Sequence, residues 1–184
     1  PSEQKNLRCH YHGRKFNLDG KFKSMPDFEE AKNFPRDCEN LKNFPVSRLG
    51  PFLFTSLEPE FNIQKIFDEI ANRLSFFKFE KLVERPDLTA EHLVKANWAI
   101  YCENYLDPFH IPFVHKELTS VLDINQYKTE IYDNYNLQIG YSKDDEDSFE
   151  IPEGSKDFGK KISAYYYWIF PNIMFNFYPW GLSI

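Results

Sequence analysis

Residues 162–178 read ISAYYYWIFPNIMFNFY, and this stretch decides the fold class. Aromatic and β-branched residues fill the runs 162–170 and 173–178, and Pro171-Asn172 interrupts them. This pattern predicts two strands joined by a turn. Upstream, nearly every odd position from Tyr127 to Tyr141 is apolar, which predicts one half-buried strand. The aromatic rings are expected in the core of a sheet; a cage of aromatic faces for a quaternary ammonium group is the alternative.

Helical periods appear in two other places. One apolar stripe at helical spacing consists of Ile63, Ile66, Phe67, Ile70, Ala71 and Leu74. This stripe predicts a helix, with Asn62 as its N-cap. A second helix is predicted roughly from Asn97 to His110. Helices combined with predicted antiparallel strands indicate an α+β fold.

The remaining segments indicate turns and loops. Asp19-Gly20 predicts a hairpin, because this pair tolerates the positive φ angles of a tight turn. The proline-punctuated stretch Met25–Leu49 is predicted as loop, and Phe52–Leu57 as a strand. Glu58-Pro59-Glu60 is expected to be a domain boundary, and the acidic stretch Lys143–Phe149 a solvated loop.

Composition excludes several classes of protein. The chain has 184 residues, of which 42% are hydrophobic and 18% aromatic, so wholesale disorder is excluded. The formal net charge of −6 argues against nucleic-acid and anionic-membrane partners. Because there is no apolar run near ~20 residues, no membrane span is predicted. Three widely spaced cysteines favour a reducing compartment, the cytoplasm. The first residue, Pro1, and the apparent strand at the end lead us to expect a piece of a longer protein.

Cys9 and His12 form the first pattern that could carry chemistry. A thiolate and an imidazole three positions apart can face one metal across a tight loop, and Gly13 lets the backbone pass close by. A structural zinc or iron–sulfur site needs four protein ligands. Since Cys38 and Cys102 do not stand at a convincing partner spacing, the pattern supplies half of a site. Two ordinary side chains unrelated to any metal are the alternative.

The segment 103–115, ENYLDPFHIPFVH, is the second such pattern. On a helix that turns about 100° per residue, Glu103, Asp107 and His110 would share one face. Their neighbours are mostly apolar, which makes simple solvation a weaker explanation. Pro112 is expected to break or distort the helix and so to turn the His115 imidazole toward that of His110.

These side chains suit a ferrous ion. Two neutral imidazoles and one carboxylate, with open positions left on the metal, are what a non-haem Fe(II) centre needs to bind and activate O2. His110 and His115 are the candidate imidazoles. Asp107 is either a ligand or the acceptor of the second N–H of a ligating histidine, a contact that fixes the tautomer. A pair of structural histidines at a helix end is the alternative.

Taken together, these residues resemble the Rieske non-haem iron oxygenases, the α-subunit family of aromatic-ring hydroxylases and their monooxygenase relatives. The matching pieces occur in the family's order and are Cys9–Gly13, Gly50–Leu57, Asn97-Trp98, Glu103–Leu118 and 171–181. A Cys-x-x-His loop followed much later by Asp-x-x-His-x-x-x-x-His is specific. The amino-acid sequence of Glu103–Leu118 is also similar to that of choline-monooxygenase-like members of the family.

The resemblance implies metal ligands by position. Cys9 and His12 match the second ligand pair of a [2Fe–2S] cluster in which two histidines replace two cysteines on one iron. His110 and His115 match the two histidine ligands of a mononuclear Fe(II). The first cluster ligand pair and the third iron ligand are expected outside this chain.

Two further residues receive roles in catalysis from the same resemblance. Asp107 matches the carboxylate that links the iron to a cluster histidine of the neighbouring subunit in a trimer. Asn104 matches a residue that lines the iron pocket. Residues 1–57 are then expected to be a partial Rieske domain. Residues 58–184 would be the N-terminal part of the catalytic domain, with a helix-grip-like antiparallel sheet.

The implied activity is that of a terminal oxygenase component that hydroxylates a small organic substrate with O2. Electrons from NAD(P)H would arrive through a ferredoxin or flavin reductase, and a homotrimer is implied, with or without a β subunit. Two substrate classes are considered. An arene would be dihydroxylated in aromatic hydrocarbon catabolism, and a quaternary or methylated amine would be monooxygenated. An electron-transfer or zinc-binding module without oxygenase activity is the rival reading.

Overall fold

The computed structural model describes residues 5–143 and 148–184. Within them, the contacts divide the chain into two compact units. The first unit contains residues up to Ser47 together with Phe54–Pro59, and the second contains Arg48–Leu53 and the residues from Glu60 onward. The domain boundary after residue 57 stays a prediction.

The first unit is built on a small antiparallel sheet. Its strands, in spatial order, are β1 (Leu7–Arg8), β2 (Lys15–Phe16) and β3 (Phe22–Ser24). The expected hairpin at Asp19-Gly20 joins β2 to β3, with a φ of +84° at Gly20 and the Lys21 amide donating to Asp19 Oδ1 at 3.0 Å. This hairpin is therefore confirmed.

A small aromatic cluster forms the core of the first unit. Phe16 packs on Phe22, Phe22 on Phe34, and Phe34 on Phe28, with ring centroids 5.0–6.2 Å apart. Among the described residues of this unit, Phe16 is the one large apolar side chain that is buried. The unit therefore relies on its turns and backbone hydrogen bonds more than on apolar burial.

A second hairpin corrects part of the predicted loop. Val46–Leu49 forms β4, and it pairs with β5 (Phe52–Thr55) across a turn at Gly50, whose φ is +54°. The interpretation of Met25–Leu49 as loop throughout is thus wrong at its end, because pairing with β5 overrides the proline-rich composition. The predicted strand Phe52–Leu57 is present but ends at Thr55.

The second unit is an antiparallel sheet of five strands flanked by helices. The strands, in the spatial order β10-β9-β8-β7-β6, are β6 (Lys128–Ile131), β7 (Tyr135–Tyr141), β8 (Ile162–Ile169), β9 (Ile173–Tyr178) and β10 (Gly181–Ser183). The turn at Pro171-Asn172 lies where the sequence predicts it. Together with the helices, this sheet confirms the α+β fold class.

The first helix, α1 (Ile63–Arg73), covers one face of the sheet. Its N-cap is Asn62, whose Oδ1 accepts the Gln64 amide at 3.1 Å, as expected. Phe67 packs on Phe175 at 6.3 Å between ring centroids. The buried aromatic side chains of this face are Tyr165, Tyr167, Phe175 and Phe177, so the core interpretation of these rings is confirmed. Ala71 is exposed, however, and lies at the edge of the predicted stripe.

The second predicted helix is shorter than the sequence suggests. It is α2 (Trp98–Leu106), with Asp107 as its C-cap, and it is followed by the short helices α3 (Ile111–Val114) and α4 (Lys116–Val121). The extension to His110 is wrong, since Pro108 disfavours helical backbone at Asp107.

The predicted strand from Tyr127 to Tyr141 is in fact two strands, β6 and β7. They are joined by a turn in which the Tyr132 amide donates to Tyr135 O at 3.0 Å. Asp133-Asn134 are turn-forming residues, and they outweigh the continuous two-residue period.

In the predicted loop Lys143–Phe149, residues 144–147 lie outside the described residues. Phe149 corrects this prediction, because it is 8% exposed and packs on Phe76 and Tyr165. None of the helices in residues 5–143 and 148–184 is long and apolar enough to cross a membrane.

Candidate metal centre

His110 and His115 are brought together by the short helix α3. His110 immediately precedes α3, and His115 stands between α3 and α4. Their Nε2 atoms are 3.1 Å apart, and the ring planes meet at 69°. Pro112 does not cause the bend, contrary to expectation, because it lies in the first turn of α3, where proline is tolerated. The chain bends at Asp107-Pro108 and at His115 instead.

The imidazole pair fits a metal ion in geometry and in donor type. Two nitrogens bound at about 2.1 Å to adjacent positions of one ion lie about 3 Å apart. The Nε2–Nε2 distance of 3.1 Å agrees with this value. A transition metal accepts two neutral imidazoles readily. In the described parts of the chain, however, no group of three His, Cys, Asp or Glu side chains is placed to hold an ion.

Asp107 stands beside His110 rather than beside both histidines. Its Oδ2 lies 3.5 Å from His110 Nδ1, and its Oδ1 accepts the Phe109 amide at 2.8 Å. A carboxylate at Nδ1 favours the tautomer with its proton there, which leaves the Nε2 lone pair free for a metal. This position suits the second of the two roles considered for Asp107, that of a partner to a ligating histidine.

Glu103 and Asn104 both belong to α2. The single helical face predicted for Glu103, Asp107 and His110 does not exist, because α2 ends at Leu106. The Asn104 side chain is exposed, and its role as a lining residue of the iron pocket stays a prediction.

A cavity of about 470 Å³ borders Asp107. Trp98, Trp168 and Phe170 supply aromatic walls, and Glu103 adds a second carboxylate. Aromatic faces attract cations through their quadrupole, and a carboxylate adds to the same preference. However, the lining is mostly apolar and widely open to solvent, so it suits an organic group without selecting a cationic one. Sequence reasoning considered the aromatics around Trp168 but did not connect them with Trp98 or Glu103.

Cys9 and His12 lie on the loop between β1 and β2. The Cys9 amide donates to Arg14 O at 2.8 Å, and the Gly13 amide donates to Cys9 O at 3.0 Å. The backbone N–H groups of Tyr11 and then His12 lower the pKa of the Cys9 thiol, because they stabilise its thiolate. Cys9 is exposed, and a thiol and an imidazole on one loop are the ligand types of a Rieske cluster.

Gln138 and Asn176 are polar residues that sequence reasoning missed. Both lie on the sheet face toward α2, where Gln138 Nε2 donates to Tyr105 O at 2.9 Å and Asn176 Oδ1 accepts from Tyr105 OH at 2.7 Å. Burial raises the pKa of Tyr105, which keeps its hydroxyl a donor. The available signal was a glutamine in an otherwise apolar strand, which the half-buried interpretation assigned to solvent.

Comparison with known proteins identifies two matching families. The family described as "Ring hydroxylating alpha subunit (catalytic domain)" matches residues 79–184, and "Rieske [2Fe-2S] domain" matches residues 1–43. Over 190 residues, the chain is 31% identical to choline monooxygenase, chloroplastic, of Arabidopsis thaliana, with 94% of this chain and 42% of the relative covered. It is 27% identical to the carnitine monooxygenase oxygenase subunit of Escherichia coli (strain K12), with 94% and 45% covered.

A solved structure shares the fold. It is a quaternary ammonium Rieske monooxygenase studied for carnitine oxidation, with a TM-score of 0.65 at 19% identity, covering 96% of this chain and 46% of that one. The chain thus spans less than half the length of these relatives. The match to the catalytic-domain family covers more than half of the chain, and the Rieske match precedes it. The chain therefore belongs to the ring-hydroxylating α subunit family of Rieske oxygenases, whose cofactors are a [2Fe–2S] cluster and a mononuclear iron.

Proposed function

We propose that the intact protein is a terminal oxygenase component that hydroxylates an organic substrate with O2. The observation that carries the proposal is the 3.1 Å separation of the His110 and His115 Nε2 atoms, with Asp107 beside His110 Nδ1. In this proposal the two imidazoles hold Fe(II), Cys9 is a ligand of one iron of the cluster, and His12 is a ligand of the other. When bound, these groups would supply electron transfer and activation of O2.

The chain's own residues prepare this chemistry. In the metal-bound protein the Asp107 carboxylate, 3.5 Å from His110 Nδ1, would favour the tautomer whose proton is on Nδ1 and whose Nε2 lone pair is free. Thr119 Oγ1 donates to Ile111 O at 3.0 Å and to His115 O at 2.9 Å, which supports the backbone that carries the imidazoles. Asn104, at the exposed side of α2, is proposed to line the iron pocket in the intact protein.

Electrons are proposed to come from NAD(P)H through a separate ferredoxin or flavin reductase, as the family requires. In a homotrimer, with or without a β subunit, Asp107 would link the iron to the cluster of a neighbouring subunit. The location proposed is a reducing compartment, the cytoplasm, which fits the three free cysteines Cys9, Cys38 and Cys102.

For the substrate, we favour a quaternary or methylated amine over an arene. Choline and carnitine monooxygenases are among the similar relatives, and they oxidise amines of this kind according to their names. The aromatic side chains of Trp98, Trp168 and Phe170 in the cavity lining are compatible with the same class. The expectation of aromatic hydrocarbon catabolism receives no such support. A product assay separates the two, since an arene would give a cis-diol and a methylammonium compound would not.

Metal analysis of the full-length protein tests the oxygenase proposal. A cluster and a mononuclear site give about three irons per chain. Two irons would indicate an electron carrier, and zinc alone would contradict both. The geometry of residues 97–115 already disfavours a carrier, because such a module has no use for a converging imidazole pair.

The role of Asp107 has its own test. We expect Asp107→Ala to retain both metal centres and to lose turnover by about 100-fold, as removal of a carboxylate behind a ligating histidine does. Asp133→Ala, which removes an exposed carboxylate from the turn between β6 and β7, is the matched control. Normal coupled turnover in the Asp107 variant would remove this residue from the mechanism.

A further inference from the structure

Gln138 is the most deeply buried amide of the sheet face that α2 covers. It lies in the interior strand β7, between β6 and β8, and is 2% exposed. Both ends of its amide are engaged: Nε2 donates to Tyr105 O at 2.9 Å, and Oε1 accepts from Tyr127 OH at 3.0 Å. A side chain held at both ends and rooted in a paired strand is a rigid anchor.

The residue that Gln138 holds is in the last turn of α2. The Tyr105 carbonyl is one of the four at a helix C-terminus that lack the usual partner within the helix. The Tyr105 hydroxyl is held as well, because it donates to Asn176 Oδ1 at 2.7 Å. Gln138 and Asn176 both pair with Tyr166 in the strand register, so they stand in one row on the same face. The last turn of α2 is thus tied to the sheet through its backbone and its side chain.

Asp107 follows Tyr105 by two residues, so the position of its carboxylate depends on how the last turn of α2 is attached to the sheet. Its side chain is 42% exposed, and Phe109 is 83% exposed, so the intervening segment has little packing of its own. The next firm contact along the chain is the buried Ile111. The position of the Asp107 carboxylate relative to His110 is therefore set by the end of α2 on one side and by Ile111 on the other.

We propose that Gln138 and Asn176 are positioning residues for the metal centre. By holding Tyr105, they place the Asp107 carboxylate against His110 Nδ1, and the carboxylate in turn orients the imidazole. The inference rests on the proposed function of His110 and His115 as metal ligands. Without these two amides, His110 keeps its ligand atom but loses a fixed orientation.

Co(II) added alone to the full-length protein, after removal of the mononuclear iron, is the probe. The measurements are its dissociation constant and its visible d–d absorption, together with thermal unfolding of each variant. Gln138→Met keeps the length of the side chain without its hydrogen bonds, and Asn176→Leu removes the acceptor for Tyr105. Asn176→Asp keeps that acceptor. Ser163→Ala is the matched control, because it removes another buried hydrogen bond from a side chain of the same sheet to a backbone carbonyl, that of Gly140.

We expect Gln138→Met and Asn176→Leu to bind Co(II) about 3–10-fold more weakly, less than the 10–100-fold typical when a direct partner of a ligand is lost. Asn176→Asp and Ser163→Ala should bind as the wild type does. A merely structural role would lower the unfolding temperature without changing Co(II) binding to the folded protein. Unchanged affinity and spectrum in both weakened variants would therefore overturn the inference.

Two further variants keep the test decisive. If Gln138→Met does not fold, Tyr105→Phe replaces it as the test variant. This substitution removes only the Tyr105 hydroxyl and should still weaken Co(II) binding. Wild-type Co(II) affinity in Tyr105→Phe would overturn the inference. His110→Ala separates the two proposals. If that variant binds Co(II) as tightly as the wild type, the metal site itself is wrong, whereas its loss of binding with a normal Gln138→Met contradicts only the positioning role.

Discussion

The two candidate metal-binding regions are held in place in different ways. Cys9 and His12 lie on a loop of a few residues that closes on itself, with hydrogen bonds from the Cys9 amide to Arg14 O and from the Gly13 amide to Cys9 O. His110 and His115 are positioned by elements distant in sequence, since α2 is anchored to β7 and β9. A local loop makes a motif visible in sequence. When a site is assembled from elements distant in sequence, the residues that position it cannot be recognised from sequence spacing.

The largest expected effect tests whether the two regions bind metal independently. We expect Cys9→Ser in the full-length protein to eliminate the cluster absorbance and leave the mononuclear iron, about one iron per chain. His110→Ala should leave the cluster and remove the third iron. Iron analysis with absorption spectroscopy measures both.

Matched controls come from the same regions. Cys38→Ser removes the other exposed cysteine of the first unit, and His92→Ala removes an exposed histidine that precedes α2. Both should retain full iron content. Loss of both centres in either Cys9→Ser or His110→Ala would show that the regions are not independent.

This difference also explains which features of the candidate site can be predicted from the sequence and which cannot. Asp107, His110 and His115 stand out as candidates in the sequence because their spacing is short, yet the predicted route to the convergence of the two histidines is wrong. A helix from about Asn97 to His110, broken or distorted at Pro112, is predicted, whereas α2 stops at Leu106. Pro108 disfavours continuation of the helix. Gln138 Nε2 donates to the Tyr105 carbonyl in the last turn, and this is a contact between residues 33 apart.

The strands show the same limit. A two-residue period predicted strands correctly but not their ends, because it continues through the turn between β6 and β7. It also assigned Gln138 to solvent, although β7 is an interior strand with buried residues on both faces. Periodicity reports alternation along one strand, whereas burial depends on what packs against each face.

A buried charge network distinguishes the second unit from the first. Arg73 forms ion pairs with Asp157 at 2.8 Å and with Glu130, and all three side chains are largely buried. In the first unit, Arg14 pairs with Glu39 at 3.0 Å but remains a third exposed. We expect Arg73→Met to lower the free energy of unfolding by about 3–5 kcal/mol, because two buried carboxylates lose their partner. Arg14→Met should cost about 1 kcal/mol or less.

Urea unfolding followed by tryptophan fluorescence measures the first effect, since Trp98, Trp168 and Trp180 all lie in the second unit. Circular dichroism follows the chain as a whole. Equal destabilisation by the two arginine variants would contradict the distinction between a buried network and a surface pair.

The same network predicts a pH dependence. Burial raises the pKa of the Asp157 and Glu130 carboxyls. Hydrogen bonds and charge from Arg73, together with Lys160 at Asp157 and with Tyr132 and Lys128 at Glu130, outweigh this effect and leave both pKa values below their usual range. A depressed folded-state pKa stabilises the protein above the unfolded value of about 4, and this contribution is lost as the pH falls below it. We expect the tryptophan-detected stability to drop between about pH 4 and pH 2, and to drop less in Arg73→Met. An equal acid response in both proteins would contradict the assignment to these carboxyls.

Three glycines with positive φ separate the cost of a left-handed backbone from the cost of a steric clash. Gly50 has a φ of +54°, and a Cβ there would lie 2.7 Å from Phe79 Cδ1. Gly159 has a φ of +77° with open space around it, and Gly13, in the Cys9 loop, has a φ of +72° with Pro26 Cγ at 3.2 Å. Alanine at any of these positions should cost about 1–2 kcal/mol for the left-handed backbone. Gly50→Ala should cost about 1–3 kcal/mol more, because Phe79 must move.

Gly159→Ala is the control for Gly50→Ala, since both lie in the second unit and are read by tryptophan fluorescence. Gly159→Ala measures the cost in unfolding free energy of the left-handed backbone alone, without a steric clash. Gly13→Ala extends the comparison to the first unit, where Pro26 lies at the surface and can shift by a few tenths of an ångström. If Gly50→Ala costs no more than Gly159→Ala, then Phe79 repacks freely, and the second unit is less tightly packed at this hairpin than its buried Leu49 indicates.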